Sequence, residues 1–306
     1  MTHGITTGTS TLTAQTAPAA PRVPHARLRS FYEAEDTPYR SGADRITRQL
    51  ALLRPVMDHA VKPMTLLDLG CGDGHATAQI AGLATPRGHH VIGVDWSETA
   101  LERARARGVE TVRAALDSEP LPFADGEADV VVMSEIIEHL VDPDAAVAEA
   151  YRVLRPGGHL FLSTPNLAAW FNRLLLLAGV QPAFSEVAFS GIYGRPGADV
   201  AGHLRLFTRR ALVEFLDARG FRAIRVTGAA FEAVPAPGRA LDRLLTRVPS
   251  AAAILLAHAR TPVRVGRQAA RPVSPRTPAA AGSSPSAGRT GPGTPPGSPR
   301  TDAASA

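Results

Sequence analysis

The fold is decided by residues 66–74, which read LLDLGCGDG. The apolar part of this stretch, starting at Met64, suits a short buried strand of a parallel sheet. The glycines after it allow a tight turn and a close approach to a ligand, because no Cβ obstructs the backbone. A second apolar run, HVIGVD, ends in Asp95 about 20 residues further on, where a carboxylate can accept both hydroxyls of a ribose. Together the two runs predict a site for a ligand that contains a nucleoside.

The spacing of the glycines separates two kinds of nucleoside ligand. In a dinucleotide-binding loop, G-x-G-x-x-G, the third glycine would fall on His75. The chain instead has D-x-G-x-G-x-G from Asp68 to Gly74, without the extra residue that seats a pyrophosphate on the helix N-terminus. A nicotinamide-dependent dehydrogenase is therefore disfavoured.

Helix and strand signals alternate around this loop. Apolar runs predict strands at 64–70, 90–95, 109–115, 128–134, 159–165, 221–228 and 251–258. Periodicity and capping residues predict helices at 46–57 (with Pro55 expected to end or kink it early), 75–84, 98–106, 143–154 and 209–219. This alternation predicts an α/β fold, a doubly wound and mostly parallel sheet with helices on both faces.

Charge and composition divide the chain into three parts. Residues 1–30 carry three arginines and no acid, and residues 259–306 carry seven arginines against one aspartate, so the middle of the chain is mildly acidic despite a net charge of +5. We expect residues 1–30 and the Pro/Ser/Ala/Gly-rich residues 261–306 to be disordered tails around a domain at 31–260. Because the basicity lies in the tails, no specific nucleic-acid partner is expected.

Other global features restrict the class of protein. The single cysteine, Cys71, excludes a disulfide framework and a cysteine-only metal cluster. The longest apolar run is too short to span a bilayer, and the N-terminus lacks the apolar segment of a secretory signal. We therefore expect a soluble, cytoplasmic protein without a transmembrane segment.

These motifs resemble the class I S-adenosylmethionine-dependent methyltransferases. LLDLGCGDG is similar to their first motif, residues 121–140 resemble the segment leading into their fourth strand, and residues 154–166 resemble their fifth strand. The resemblance covers roughly residues 60–225. It implies a Rossmann-like sheet of seven strands with the last strand antiparallel, and S-adenosylmethionine as methyl donor.

The resemblance also implies which residues contact the donor. These are the loop residues Asp68, Gly70, Cys71, Gly72, Asp73 and Gly74, the strand-end residues Asp95, Trp96, Ser134 and Glu135, and Leu116 and Asp117. Relatives often carry an adenine-binding aspartate at the position of Ala115, so Asp117 or the backbone of Leu116 is expected to serve instead. Cys71 is not expected to act as a nucleophile, since nothing near it in sequence would activate it.

A cluster of ionisable residues follows the fourth strand. Glu135, Glu138 and His139 stand at i, i+3 and i+4, so one helical turn would place them on one face, where Mg²⁺ or Mn²⁺ could bind. The cluster resembles the metal-binding ExxEH of ubiquinone-pathway O-methyltransferases and of small-RNA 2′-O-methyltransferases, which adds His203 as a further metal ligand. Two alternatives remain: His139, with Glu138, acts as a catalytic base without metal, or the turn is structural.

The long insert at residues 167–206 is a candidate lid on the acceptor side. Its first half is a short, very apolar helix, and its second half is rich in glycine. We expect Trp170, Phe171 and Tyr193 to line it, unless the segment is an extra core helix with a loose connection. A lid of this kind implies an acceptor with a hydrophobic part, or a protein working near a membrane surface.

Three functions are compatible with these patterns. The favoured one is a methyltransferase acting on a small molecule, with oxygen as the expected nucleophile. An RNA methyltransferase of the terminal 2′-O type is disfavoured by the acidic middle of the chain. A non-catalytic module that binds S-adenosylmethionine is disfavoured by the intact glycine loop and Asp95.

Overall fold

The computed structural model describes residues 42–116, 118–195 and 200–263, all within one compact unit. Its strands are β1 Thr65–Leu69, β2 His90–Asp95, β3 Glu110–Arg113, β4 Ala128–Ser134, β5 Leu154–Pro165, β6 Arg222–Ala229 and β7 Ile254–Arg260. Its α-helices are α1 Ala43–Asp58, α2 His75–Ala84, α3 Glu98–Ala106, α4 Pro143–Val153, α5 Trp170–Leu177, α6 Arg209–Ala218 and α7 Ala236–Leu245.

The strands form one seven-stranded sheet in the order β3-β2-β1-β4-β5-β7-β6. The pairings among β1 to β5 are parallel, and β7 runs antiparallel to both β5 and β6. The predicted doubly wound sheet with an antiparallel last strand is therefore confirmed. From β1, the strands β2 and β3 are added on one side and β4 and β5 on the other, so the strand order switches between β1 and β4. The carboxyl ends of the strands open a crevice at this switch point.

Both faces of the sheet are buried, because side chains alternate along each strand. Leu66, Val130 and Phe161 pack with α1 and α2 on one face. Leu67 and Val131, each the neighbouring residue in its strand, pack with α4 and α6 on the other. This two-sided burial explains why the central strands are continuous apolar runs in the sequence.

N-capping residues begin helices α3 and α4 where the sequence predicts. Ser97 Oγ accepts from Ala100 N at 3.3 Å, and Asp142 Oδ1 accepts from Ala145 N at 2.9 Å. The expected early end at Pro55 is wrong, since α1 runs on to Asp58. The buried side chain of Met57 anchors this last turn against the sheet, which outweighs the hydrogen bond that Pro55 cannot donate.

Candidate active site

The glycine loop between β1 and α2 lies at the mouth of the crevice and is fastened to β2. Gly70, Gly72 and Gly74 all have positive φ angles (79°, 52° and 76°), which favour glycine. A Cβ on Gly70 would lie 2.6 Å from Ile136 Cγ1, so this glycine also lets the loops after β1 and β4 meet. The backbone here cannot be reproduced by other residues without displacing its neighbours.

Asp95, at the end of β2, joins the loop to the sheet. Its Oδ2 accepts from Gly72 N at 2.9 Å and its Oδ1 accepts from Ser97 N at 3.0 Å. Burial raises the pKa of this carboxyl above its usual value. Each carboxylate oxygen has a second lone pair, so Asp95 can still accept hydroxyls from a sugar seated on the loop.

Two carboxyls of the loop have different surroundings. Asp68 is buried; its Oδ2 accepts from Thr77 Oγ1 at 2.6 Å, while its Oδ1 has no hydrogen-bond partner among the described residues. Burial raises the pKa of Asp68 to about 6. Asp73 instead accepts from His75 N at 3.0 Å and pairs with Arg107 at 2.8 Å, which holds the loop to α3.

The remaining predicted donor contacts occupy several environments. Cys71 packs against Gly93, and burial raises the pKa of its thiol, which agrees with its rejection as a nucleophile. Trp96 is half-buried after β2, and the Leu116 side chain lies in the core, so only its backbone could face a ligand. Asp117 lies outside the described residues. Direct contact of these residues with a donor stays a prediction.

Helix α1 adds two polar residues, Arg45 and Gln49, that the sequence analysis missed. Gln49 and Ser134 exchange hydrogen bonds of 2.7 and 3.0 Å, and Arg45 Nη1 donates to Gln49 Oε1 at 3.3 Å. Arg45 is 8% exposed, and its charge favours the ionised forms of both Asp68 and Glu138. Spacing of four residues on the buried side of an amphipathic helix is the signal that could have revealed the pair.

The segment after β4 does not form the single α-helical turn that was expected. Glu135 has a φ of 52°, and only Ile137–His139 is helical, as a 3₁₀ turn. Glu135 is therefore turned out of the helical register, although its charge still acts on Glu138. The carboxyl of Glu138 is fully buried, and this burial, with Glu135 beside it, raises its pKa well above the usual value.

Glu138, His139 and His203 come together in the structure. Their potential metal-ligating atoms lie within 4.8 Å of one another, and the two imidazole centroids are 4.8 Å apart. His139 Nδ1 lies 3.3 Å from Gly202 O, and His203 Nδ1 lies 2.8 Å from Phe184 O. Because a carbonyl only accepts, each Nδ1 carries the proton and each Nε2 presents a lone pair.

Charges in this cluster are tuned by burial. Desolvation, with His203 beside it, lowers the pKa of His139 to about 3, so its imidazole is neutral at physiological pH. Glu138 Oε2 accepts from Thr164 Oγ1 at 2.9 Å, whereas Oε1 of Glu138 and Oε1 of Glu135 are buried without a hydrogen-bond partner among the described residues. These two unsatisfied oxygens point to a ligand, because an unpaired buried carboxylate oxygen is costly.

The insert contributes an aromatic cluster beside His203. The Phe184 ring centroid lies 6.2 Å from that of His203, 6.0 Å from Phe171 and 4.8 Å from Phe231. Trp170 is turned to α7, donating from Nε1 to Asp242 Oδ1 at 2.9 Å. Trp170 also packs edge-on against Phe171, with 5.6 Å between the ring centroids, whereas Tyr193 is half exposed. A lid function stays a prediction.

A known family model matches the segment that holds most of the candidate site. Residues 67–162 match the family model described as a methyltransferase domain, and they contain the glycine loop, Asp95 and the Glu138–His139 turn. The resemblance predicted from the sequence is thereby confirmed for this segment.

Individual relatives share parts of the chain. A probable S-adenosylmethionine-dependent methyltransferase of Mycolicibacterium smegmatis is 41% identical over 108 residues, which is 35% of this chain and 40% of that protein. A ubiquinone biosynthesis O-methyltransferase of Idiomarina loihiensis is 30% identical over 178 residues, 54% of this chain and 65% of that protein. The chain thus matches less than two thirds of the length of these curated relatives.

A solved structure is similar at lower identity. The S-adenosylmethionine-dependent methyltransferase of Thermotoga maritima, a possible histamine N-methyltransferase, is 18% identical with a TM-score of 0.47, covering 78% of this chain and 94% of that one.

Among the described residues, no helix is long and apolar enough to cross a membrane.

Proposed function

We propose that this protein transfers the methyl group of S-adenosylmethionine to an oxygen atom of a small acceptor with an apolar part. The observation that carries the proposal is the junction of Gly72 N with Asp95 Oδ2 at the carboxyl ends of β1 and β2, inside the segment that matches a methyltransferase domain. That junction leaves a carboxylate beside a loop of glycines, which suits the ribose of an adenosyl group.

The charged residues next to the loop complement the amino-acid end of this donor. S-Adenosylmethionine carries an ammonium and a carboxylate there. The unpartnered Asp68 Oδ1 suits the cation, and the buried guanidinium of Arg45 suits the anion. We expect both to orient the donor, whose sulfonium supplies an already activated methyl group. The protein then has to align the acceptor with the S–CH₃ bond and exclude water.

The acceptor side offers a base and a candidate cation site. Glu138, whose pKa is raised by burial, can take up the proton of an acceptor hydroxyl, and the neutral His139, with Nε2 4.0 Å from Glu138 Oε1, can hydrogen-bond that hydroxyl and pass the proton to it. Glu138, His139 and His203 also form a ligand set that could hold a divalent ion. Both imidazoles donate Nδ1–H to carbonyls, as metal-binding histidines do. Glu135 is not a member of this set, but its charge acts on Glu138. Such an ion would acidify a bound hydroxyl. Two imidazoles favour Mn²⁺ or Zn²⁺ over Mg²⁺.

The apolar character of the acceptor rests on the phenylalanine cluster beside His203. Rings at Phe171, Phe184 and Phe231 offer a surface for an apolar or aromatic group. Two observations support oxygen as the nucleophile. Glu138 and His139 can take up the proton of a hydroxyl, and some relatives are named as ubiquinone biosynthesis O-methyltransferases.

The test supplies the full-length protein with methyl-labelled S-adenosylmethionine and a cell extract separated into organic, aqueous small-molecule and RNA fractions. We expect label in the organic fraction. His139→Ala should lower this transfer at least about 100-fold while donor affinity changes less than about twofold, and exposed His59→Ala is the matched control. EDTA followed by Mn²⁺ or Zn²⁺ tests the ion. Label in RNA alone, or donor binding without transfer to any fraction, would refute the proposal.

A further inference from the structure

Helices α5 and α7 bury a polar residue each and expose their leucines. The one buried residue of α5 is Asn172, and the one buried residue of α7 is Asp242. Asn172 Oδ1 accepts from Ala183 N at 2.7 Å, and Asp242 accepts from Trp170 Nε1 and Phe231 N. The fully buried attachments of both helices are therefore polar, although Phe171 of α5 also packs against the core. An ordinary amphipathic helix buries apolar residues instead.

The apolar residues of the same helices face outward. In α5, Leu174, Leu176 and Leu177 are 57%, 56% and 85% exposed. In α7 and just beyond it, Leu241, Leu244 and Val248 are 43%, 55% and 47% exposed. Every strongly exposed leucine in the described part of the chain belongs to these two helices. Such a concentration of exposed leucine marks an interaction surface rather than ordinary surface variation.

The two sets of leucines adjoin. Trp170, at the start of α5, lies against α7, because a Cβ on Gly238 would be 3.3 Å from the Trp170 ring. Leu174 and Leu177 follow Trp170 on one face of α5, and Leu241 follows Gly238 one turn along α7. We call this combined surface, formed by Leu174, Leu176, Leu177, Leu241, Leu244 and Val248, the leucine face.

The exposed charged residues of the two segments that form the leucine face are all arginines. Residues 170–180 carry Arg173, and residues 236–248 carry Arg239, Arg243 and Arg247. Asp242 is the only acid in these two segments, and it is buried. Within the described residues, none of the four arginines forms an ion pair with a carboxylate. Their charge is thus available to an anionic partner.

We propose that the leucine face docks on an anionic lipid bilayer. Leucines at the acyl boundary with arginines at the phosphates are the arrangement of an interfacial amphipathic helix. A second copy of the chain fits less well, since a symmetric contact would bring arginines of both copies together. The proposal stands independently of methyl transfer.

The test measures co-sedimentation of the full-length protein with phosphatidylcholine vesicles, with and without phosphatidylglycerol. We expect binding to the anionic vesicles, at least about tenfold weaker in Leu177→Asp/Leu244→Asp, and about fivefold weaker for each of Arg243→Gln and Arg247→Gln. Val61→Asp is the matched control, since Val61 is fully exposed at the amino end of β1, away from this face.

The arginines outside the described residues stay unchanged in all these variants, so binding through them alone would leave the leucine variants unaffected. That result would overturn the proposal, as would no binding of the wild type to either vesicle. Self-association of the wild type, abolished by Leu177→Asp/Leu244→Asp in the absence of vesicle binding, would show that a second copy covers the face. Far-UV circular dichroism verifies that each variant is folded.

Discussion

At the scale of single residues, Asp95 connects the glycine loop to the sheet and should govern donor affinity. Asp95→Ala removes the acceptor that we propose for the ribose hydroxyls, and it removes the anchor of Gly72 N. We expect donor binding at least about tenfold weaker, since hydrogen bonds to a charged group contribute about 1.5–3 kcal/mol each. Calorimetry with S-adenosylhomocysteine measures it, with exposed Asp58→Ala as control. Unchanged affinity would place the donor elsewhere.

Asp68 should make the donor-free protein less stable as the pH rises. Burial raises its pKa to about 6 in the folded protein, from an ordinary value of 3.8. The folded state therefore binds more protons between these values, and the free energy of unfolding falls across this window as pH increases. Asp68→Asn removes the effect and should stabilise the donor-free protein at pH 8, by up to about 3 kcal/mol.

Urea denaturation of Asp68→Asn and wild type at pH 4 and pH 8 measures this difference. The variant should also bind the donor more weakly, because it cannot pair with an ammonium. A variant that is less stable than wild type at pH 8 would show that the ionised carboxyl has a partner that the structure does not reveal.

The residues that could be predicted from the sequence are those whose role follows from local spacing. Gly70, Gly72 and Asp95 stand in fixed order after two strands, and the structure brings them together. The spacing of Arg45 and Gln49 places them on one helix face, but it does not tell which residues they meet, since Gln49 contacts Ser134 across 85 residues of sequence. His203 lies beside His139 although more than 60 residues separate them in sequence. Local spacing could not predict this contact, and only the family resemblance indicated it.

At the scale of elements, all seven strands could be predicted. The central strands are apolar runs, while β3 and β6 carry branched apolar residues between polar ones. Helix α7 was missed, since Pro235, Pro237 and Gly238 look like a turn. Proline is tolerated in the first helical turn, where its missing N–H would have no partner. The leucines of α7 give it a helical period, but they face outward, so a search for a core-facing stripe does not find it.

The attachment of α5 to α7 is a testable element contact. Trp170→Phe keeps an aromatic ring, although a smaller one, and removes the 2.9 Å hydrogen bond to buried Asp242; we expect a loss of about 1–2 kcal/mol in the free energy of unfolding. Asp242→Ala should cost more, because Phe231 N then loses its acceptor as well. Urea titrations of both variants measure this, and equal, negligible losses would contradict the contact.

At the scale of the whole molecule, positive charge and the candidate active site belong to different parts of the chain. Residues 265–306 carry five arginines and one aspartate, and the described residues that hold the crevice all come before them in the sequence. Truncation after Arg264 should therefore leave donor affinity within about twofold, while non-specific RNA binding becomes weaker and less dependent on salt.

Calorimetry and filter binding across a salt series measure these two properties. Residues 42–263 supply every described member of the site, which is why we expect donor affinity to survive. Loss of donor binding on truncation would show that the C-terminal residues contribute to the site. RNA binding that persists unchanged would place the RNA-contacting charge elsewhere.

The left-handed backbone of Glu135 has a consequence for how this domain can be improved in the laboratory. A non-glycine residue at a φ of 52° costs about 1–2 kcal/mol, and its Oε1 is buried without a partner among the described residues. Glu135→Gly removes both costs. Directed evolution for thermal stability alone should therefore select this replacement early. We expect the selected variants to be more stable but less active, because stability and activity make opposite demands on this position.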